Sequence, residues 1–329
     1  MIIKNDEIKK YISGAVCFDE KDDFLFPRRF TKKQLDYISD NDFLFPRSKM
    51  TAGVVLEFCG NTRNISFDAI FLETSRNYYS FDIYVDGIQQ LRFAKSNVKI
   101  GSNEHIAFKL ADGKKKVQIY FPCLFETGIK NFCIDDNAEM TTLKKDASFL
   151  FFGDSITHGY ATRFTSLTYA NILPRLFNAK ALNQAIAGDI FNVNNLDESL
   201  DFKPDIIFVA YGTNDWWSGR DIADTAKKYF DKLTAIYPQS NICAILPIYR
   251  LDSESEQEMA VLPFAEFRNL LKKLCEGYKN ITVIDSWNFV PHFPDFYEDG
   301  FLHPNDMGFV FYADALGKYI VDNGLYQKI

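Results

Sequence analysis

The sequence lacks the features that mark several common functional classes. It has four histidines among 329 residues, no CxxC pair and no HExxH motif, so a zinc site is not expected. Its formal net charge of −7 leaves none of the basic excess that nucleic acids or anionic membranes attract. No apolar run approaches the ~20 residues that cross a bilayer, and the first residues do not resemble a signal peptide. We therefore expect a cytoplasmic protein with no metal or other cofactor, no nucleic-acid partner and no membrane partner.

The six cysteines occur singly along the chain. Their even number is compatible with disulfides, but nothing else indicates export, so reduced thiols are favoured. Apolar residues make up 47% and charged residues 25%, which is typical of a globular protein with a substantial core. The length is comfortable for two domains.

The N-terminal half of the chain predicts antiparallel β-structure. Short runs rich in Phe, Tyr, Ile and Val follow one another, and Asp86-Gly87 and Asp112-Gly113 separate some of them as hairpin turns would. We assign residues 1–140 to a jelly-roll-like β-sandwich domain. One helix is expected inside it, because Thr31 can cap residues 32–39. The motif DFLFPR occurs twice, at residues 23–28 and 42–47, and is interpreted as two strand ends stopped by proline.

The pattern changes near residue 146, after the polar stretch IDDNAEMTTLKKDA, which we interpret as a linker. The runs FLFFGD, DIIFVAYG, ICAILPIY and ITVIDSW are nearly all apolar, as in parallel strands buried on both faces. Helical patterns separate them or follow the last, over residues 168–177, 222–237, 263–278 and 307–323. Residues 146–329 are therefore predicted to form an α/β domain with a doubly wound parallel sheet.

Polar residues gather just after these predicted strands. They are Gly153-Asp154-Ser155, Asn183, Gly188, the run Gly212 to Asp215, and Asp299 with His303 before the last helix. Ligands of doubly wound sheets bind beyond the carboxyl ends of the strands, so these residues are expected to converge there.

Four of these segments resemble the sequence blocks of the SGNH (GDSL) hydrolase family: Ser155 in GDSI, Gly188, Asn214 in GTND and His303 in HPN. The resemblance covers Ala147 to the C-terminus and implies a flavodoxin-like SGNH catalytic domain. The whole chain resembles, more loosely, two-domain members of the family with an N-terminal β-domain, some of which deacetylate carbohydrates.

Ester hydrolysis assigns a role to each residue of this set. Ser155 would attack the carbonyl, His303 would take its proton, and Asp299 would orient the imidazole. The resemblance further implies an oxyanion hole from the N–H groups of Ser155 and Gly188 and the amide of Asn214.

The acid of this set departs from the family pattern. The family's acid usually stands three residues before the histidine, whereas Asp299 stands four before His303. Gly300 could absorb the extra residue. Glu298 or Asp295 remain alternatives, as does a Ser–His pair acting without an acid.

Other polar and aromatic residues near these blocks have less specific signals. Four side chains are candidates for substrate contacts: His158, Trp216, Trp217 and Arg250. For each there is a plainer alternative: a surface or structural role for the histidine, core packing for the tryptophans and solvation for the arginine. Asp154 and Asp215 are expected to brace loops through hydrogen bonds.

The leading functional hypothesis is a serine esterase that hydrolyses small O-acyl esters, acetyl above all, on carbohydrates or similar polar alcohols. An acyltransferase using the same serine and a noncatalytic glycan-binding SGNH-like protein are the alternatives. The β-domain could bind glycan, shape the cleft or mediate a homo-oligomer.

Overall fold

The computed structural model describes residues 1–254 and 260–326. Within these residues the N-terminal region contains two antiparallel sheets, and the C-terminal region contains a parallel sheet flanked by helices, which confirms the predicted fold class. No helix of the described residues combines the length and apolarity that crossing a membrane requires. All six cysteines are free thiols.

The N-terminal strands are β1 (Ile12–Ser13), β2 (Cys17–Lys21), β3 (Phe24–Arg28), β4 (Val55–Gly60), β5 (Asn64–Thr74), β6 (Tyr78–Val85), β7 (Ile88–Ser96), β8 (Asn103–Lys109), β9 (Lys115–Tyr120), β10 (Phe125–Ile134) and β11 (Met140–Thr141). The helices of this region are α1 (Asn5–Ile8), α2 (Lys32–Ile38) and α3 (Leu44–Ser48). One sheet has the order β1-β4-β9-β6-β7, with β11 beside β4, and the other has the order β2-β3-β10-β5-β8. Strands of both sheets contribute rings to one buried aromatic core, including Phe58, Phe67, Phe71, Phe81 and Phe125.

Only one of the two Asp-Gly turns closes a hairpin. Asp86 and Gly87, both with positive φ, join the paired strands β6 and β7 as predicted. The hairpin expected at Asp112-Gly113 is wrong, because β8 pairs with β5 in one sheet while β9 pairs with β4 and β6 in the other. The polar stretch interpreted as a linker also contains β11, which pairs with β4.

The helix capped by Thr31 is confirmed. Thr31 Oγ1 accepts the Gln34 N–H, and the Gln34 side chain accepts the Thr31 N–H, so the two residues form a capping box. The interpretation of the repeated motif is wrong for its second copy. The first DFLFPR lies in β3, whereas the second runs into α3, where Asn41 Oδ1 accepts the N–H groups of Phe43 and Leu44.

The C-terminal strands are β12 (Ala147–Gly153), β13 (Ala179–Asn183), β14 (Ile206–Ala210), β15 (Asn241–Ile245) and β16 (Ile281–Ile284). The helices are α4 (Ser155–His158), α5 (Tyr169–Leu176), α6 (Thr213–Trp217), α7 (Ile222–Ile236), α8 (Phe264–Cys275) and α9 (Asp306–Asp322). The strands lie parallel in the order β13-β12-β14-β15-β16, with a buried apolar cluster on each face. The chain places β13 on one side of β12 and β14 on the other, so the direction of winding reverses at β12. The loops after β12, β13 and β14 therefore meet at the carboxyl edge of the sheet.

Candidate active site

Ser155 lies at the start of α4, directly after the central strand β12. Asp154 caps the helix, since its Oδ1 accepts the N–H of Ile156 at 3.0 Å. A side chain at Gly153 would not fit, because a Cβ there would lie 2.3 Å from Thr157 Oγ1 and 2.8 Å from the carbonyl oxygen of Ala210. The tight turn therefore brings the Ser155 hydroxyl to the carboxyl end of the sheet.

The structure brings Ser155, His303 and Asp299 into one hydrogen-bonded chain. Ser155 Oγ lies 2.8 Å from His303 Nε2, and His303 Nδ1 lies 2.6 Å from Asp299 Oδ2. An ionised carboxylate can only accept, so Nδ1 carries the proton and Nε2 is left to accept from the serine hydroxyl. This is the tautomer that a general base for Ser155 requires.

Asp299 is fixed by its own loop as well as by the imidazole. Its Oδ1 accepts the N–H groups of Phe301, Leu302 and His303 at 3.1, 2.9 and 3.1 Å. Partial burial acts to raise the pKa of Asp299, but the hydrogen bonds from the His303 side chain and the backbone outweigh it and hold the pKa well below its usual value. Gly300, with φ +81°, provides the left-handed residue of this four-residue spacing.

The alternative acids lie elsewhere. Glu298 Oε1 lies 3.4 Å from Arg163 Nη2, and only its backbone N–H bonds to His303, at the carbonyl oxygen. Asp295 is exposed, and it accepts a hydrogen bond from Asn305 through its carbonyl oxygen. Of the three acids considered, Asp299 is the one that contacts the imidazole.

The donors expected for an oxyanion come from three chain segments that follow strands at the same edge of the sheet. The Ser155 N–H begins α4, and Gly188 adopts φ +91° in the loop after β13. Asn214 lies in α6, after β14, and its Nδ2 donates to the carbonyl oxygen of Asp189 at 2.8 Å. That bond fixes the amide plane and uses one of the two Nδ2 hydrogens, so the other is available to a ligand.

Three buried carboxyl groups lie behind these loops. Burial is the main cause that raises the pKa of Asp154 and Asp189 to about 7 and that of Asp215 to about 6. Asp215 Oδ2 accepts the N–H of Phe191 at 3.4 Å, so Asp154 and Asp215 each brace a loop as expected. In the segments of the chain that the structure describes, no group of three or more His, Cys, Asp or Glu side chains is arranged to hold a metal ion.

His158 is not placed to contact substrate, and that prediction is corrected. The ring is fully buried; Nδ1 accepts the Ala187 N–H at 3.1 Å and Nε2 donates to the carbonyl oxygen of Cys123 at 3.0 Å. Burial, followed by the charges of Arg29 and Arg47, lowers the pKa of His158 well below its usual value, so the ring is neutral. Both nitrogens are occupied, and the side chain connects the N-terminal region to the residue before Gly188.

Arg250 and Trp216 are structural residues, whereas Trp217 faces solvent. Arg250 is 2% exposed, so it is not a solvated arginine. Its Nε and Nη2 donate to Asp252 and its Nη1 donates to Thr213 Oγ1, so the guanidinium is not free to bind substrate. Trp216 is buried and donates Nε1–H to the carbonyl oxygen of Leu262, which favours the core-packing alternative for this residue. Trp217 is 45% exposed and remains a candidate for substrate contact.

The N-terminal region also supports the loop that carries Gly188, a contribution that the sequence patterns did not reveal. The fully buried Arg29 donates from Nη1 to the carbonyl oxygens of Asn183 and Ala185, at 2.5 and 2.9 Å, and from Nε to that of Met50. Burial lowers the pKa of Arg29 to about 9. The position of this loop therefore depends on packing between the two regions of the chain.

Two aromatic side chains lie beside His303 and Gly188, an arginine stacks on each of them, and all four were missed from the sequence. They are Phe43, Arg47, Tyr160 and Arg76. The centres of the Tyr160 and His303 rings lie 5.0 Å apart, and the Phe43 ring contacts Gly188. The only sequence signal for two of them was the repeated DFLFPR motif, whose second copy contains Phe43 and Arg47.

Comparison with known proteins identifies a family for the C-terminal region. Residues 151–309 match the model of the GDSL-like lipase/acylhydrolase family. A search of curated proteins found no match.

Solved structures similar to this chain share the whole architecture at low sequence identity. A salicylyl-acyltransferase, SsfX3, from a tetracycline biosynthetic pathway is 19% identical with a TM-score of 0.82, over 97% of this chain and 96% of that one. A family two carbohydrate esterase from Clostridium thermocellum, in complex with cellohexaose, is 17% identical with a TM-score of 0.65, over 92% and 100%. The acetyl xylan esterase Est2A from the rumen bacterium Butyrivibrio proteoclasticus is 14% identical with a TM-score of 0.60, over 84% and 92%.

At these identities the likeness shows the fold, whereas the family is shown by the profile match. Residues 151–309 thus form a domain of the GDSL-like lipase/acylhydrolase (SGNH) family, which in this chain follows an N-terminal β-rich region.

Proposed function

We propose that this protein is a serine esterase that cleaves small O-acyl esters, acetyl esters above all, through Ser155, His303 and Asp299. The observation that carries the proposal is the continuous hydrogen-bonded chain from Ser155 Oγ through the imidazole to Asp299. We further propose that the catalytic domain spans residues 146–329 and that residues 1–140 form an accessory domain.

In the proposed reaction Ser155 Oγ attacks the ester carbonyl carbon while its proton passes to His303 Nε2. The carbon–oxygen bond to the alcohol then breaks, and the alcohol leaves with that proton. Water repeats the sequence on the acyl-enzyme and releases the carboxylic acid. Asp299 stabilises the imidazolium, and its low pKa keeps it ionised throughout the neutral range.

The backbone N–H groups of Ser155 and Gly188 and the side-chain amide of Asn214 would stabilise the negative charge that develops on the carbonyl oxygen. Among the described residues, neither the Ser155 nor the Gly188 N–H donates to a protein acceptor. The Asn214 amide is preoriented by its bond to Asp189. Each such donor is worth about 2.7–4 kcal/mol in sites of this kind.

Carbohydrate or a similar polar alcohol is proposed as the acylated group. The fold neighbours named as carbohydrate and acetyl xylan esterases support this substrate class, as does the exposed face of Trp217, which suits a sugar ring.

The test is hydrolysis of 4-nitrophenyl acetate by Ser155→Ala, with Ser39→Ala as a control. Ser39 is an exposed serine at the end of α2, so its variant should keep wild-type turnover. We expect Ser155→Ala to lose at least about 10³-fold in kcat with an unchanged melting temperature. Near-wild-type turnover in that variant would refute the nucleophile.

An acyltransferase using the same serine is the second candidate, because one fold neighbour is named a salicylyl-acyltransferase. The discriminating measurement is acetate release from an acetyl ester with and without added sugar or alcohol acceptors. An esterase releases acetate at a rate independent of acceptor, whereas a transferase converts the acceptor into its ester at the expense of acetate. A noncatalytic protein would do neither.

A further inference from the structure

We propose that the substrate carries an anionic oxygen group, such as a carboxylate or a phosphate, and that Arg47 and Arg76 bind it. Both arginines belong to the N-terminal β-rich region. This inference rests on the proposed esterase function and specifies the class of ester that the site takes.

Arg76 lies one aromatic ring away from the imidazole of His303. Its guanidinium carbon is 4.6 Å from the centre of the Tyr160 ring, and the centres of the Tyr160 and His303 rings lie 5.0 Å apart. The backbone of Arg76 is fixed, because its N–H donates to Thr74 Oγ1 at 3.0 Å. Residue 76 is therefore held beside the ring that borders the catalytic imidazole.

Arg47 stacks on the Phe43 ring, which lies beside Gly188, one of the proposed oxyanion donors. Its guanidinium carbon lies 3.7 Å from the centre of the Phe43 ring, and a Cβ placed on Gly188 would be 2.3 Å from Phe43 Cε1. Each arginine therefore stacks on an aromatic ring that lies beside a residue of the proposed site, which is His303 for Arg76 and Gly188 for Arg47.

Neither arginine forms an ion pair within residues 1–254 and 260–326. The only side-chain hydrogen bond of Arg47 in these residues goes to the carbonyl oxygen of Phe43. Nε of Arg76 is buried without a partner, and so is the hydroxyl of Tyr78, which packs in one cluster with Tyr160.

The three arginines that are buried in the described part of the chain are paired or hydrogen-bonded. Arg28 pairs with Glu126, Arg250 pairs with Asp252, and Arg29 donates to four carbonyl oxygens.

Arg47 and Arg76 are thus partly buried cations without an ion pair among the described residues. Burying an unsatisfied donor costs free energy, and an anionic ligand oxygen would remove that cost while gaining charge-assisted hydrogen bonds. The planar guanidinium forks suit the paired oxygens of a carboxylate or phosphate. The same geometry gives no such advantage to a neutral ester.

The test uses two pairs of esters that differ in charge. The first pair, 4-acetoxybenzoate and its neutral methyl ester, places the anion on the alcohol moiety. The second pair, 4-nitrophenyl hemiglutarate and 4-nitrophenyl pentanoate, places it on the acyl moiety. In at least one pair we expect the wild-type kcat/KM for the anionic ester to exceed that for its neutral partner by about tenfold or more.

The variants Arg47→Gln and Arg76→Gln should each bring the ratio of kcat/KM for the anionic ester to kcat/KM for its neutral partner close to one. Arg47→Lys keeps the charge and should retain some of the preference, which separates lost charge from lost folding. Arg63→Gln is the matched control, because Arg63 is an exposed arginine paired with Asp112 at 3.0 Å. It should keep the full preference, and every variant is first checked by its melting temperature.

Wild-type enzyme that hydrolyses the neutral esters without favouring either anionic partner would overturn the inference and leave the esterase proposal intact. So would a preference that survives both glutamine substitutions. Failure of the esterase proposal has a different signature: no ester of either pair is hydrolysed, or Ser155→Ala hydrolyses them as fast as the wild type.

Discussion

Replacing Asp299 by Asn tests how the proposed triad depends on one proton. Oδ1 of the asparagine can still accept the N–H groups that Asp299 now accepts from residues 301–303, so the loop should keep its shape. Nδ2 would then face His303 Nδ1, where a carboxylate oxygen accepts at 2.6 Å in the wild type. Two donors cannot pair, so the imidazole should move its proton to Nε2 and donate to Ser155 instead of accepting from it.

We expect this wrong tautomer to lower kcat for 4-nitrophenyl acetate by about 10²–10⁴-fold, which corresponds to about 2.7–5.4 kcal/mol in activation free energy. The melting temperature should change little. Glu298→Gln is the matched control, because Glu298 contacts Arg163 rather than the imidazole, and its kcat should stay within about twofold of wild type.

Two results would refute this assignment. Retention of more than a tenth of wild-type kcat by the Asp299→Asn enzyme would mean that the imidazole does not need the carboxylate. A larger loss in Glu298→Gln would transfer the orienting role to the neighbouring acid.

The remaining predictions concern stability and metal dependence. The pKa of Asp189 is raised to about 7, so this carboxyl stabilises the folded protein fully below pH ~4, and up to about 4 kcal/mol of the free energy of unfolding is lost as the pH rises to about 7. In urea titrations, the free energy of unfolding of Asp189→Asn should therefore fall less steeply with pH over this range than that of the wild type. An equally steep fall would contradict the shift. Gly153→Ala should destabilise the protein by at least about 2 kcal/mol in the same assay, because its Cβ meets Thr157 Oγ1 at 2.3 Å; an unchanged midpoint would mean that the turn yields easily. Incubation with EDTA should leave esterase activity unchanged, and a strong loss that zinc restores would indicate a metal enzyme.

The parallel half of the fold could be predicted because its patterns are local. Continuous apolar runs identify strands buried on both faces, and the predicted helix over residues 222–237 differs by one residue from the observed Ile222–Ile236. The positions of Ser155, Gly188, Asn214 and His303 at strand or loop ends follow from the same reasoning, since parallel strands place their carboxyl ends at one edge.

Pairing in the β-rich half could not be predicted in the same way. The two Asp-Gly turns have equally good local chemistry, yet only Asp86-Gly87 joins neighbouring strands. Strand partners far apart in the chain decided the difference, because β8 and β9 lie in separate sheets. Turn propensity is a local preference and cannot choose between partners of similar character.

Sequence alone identified the residues that we propose for ester hydrolysis and roughly where each follows a strand. Tertiary structure decided which acid contacts His303 and which side chains surround it. DFLFPR forms a strand at residues 24–28 and runs into a helix at residues 44–48, so identical residues contribute to a sheet in one place and to the rim of the site in the other. The physical reason is that short-range propensities differ by less than the free energy of burial and long-range hydrogen bonding, which depends on the rest of the chain.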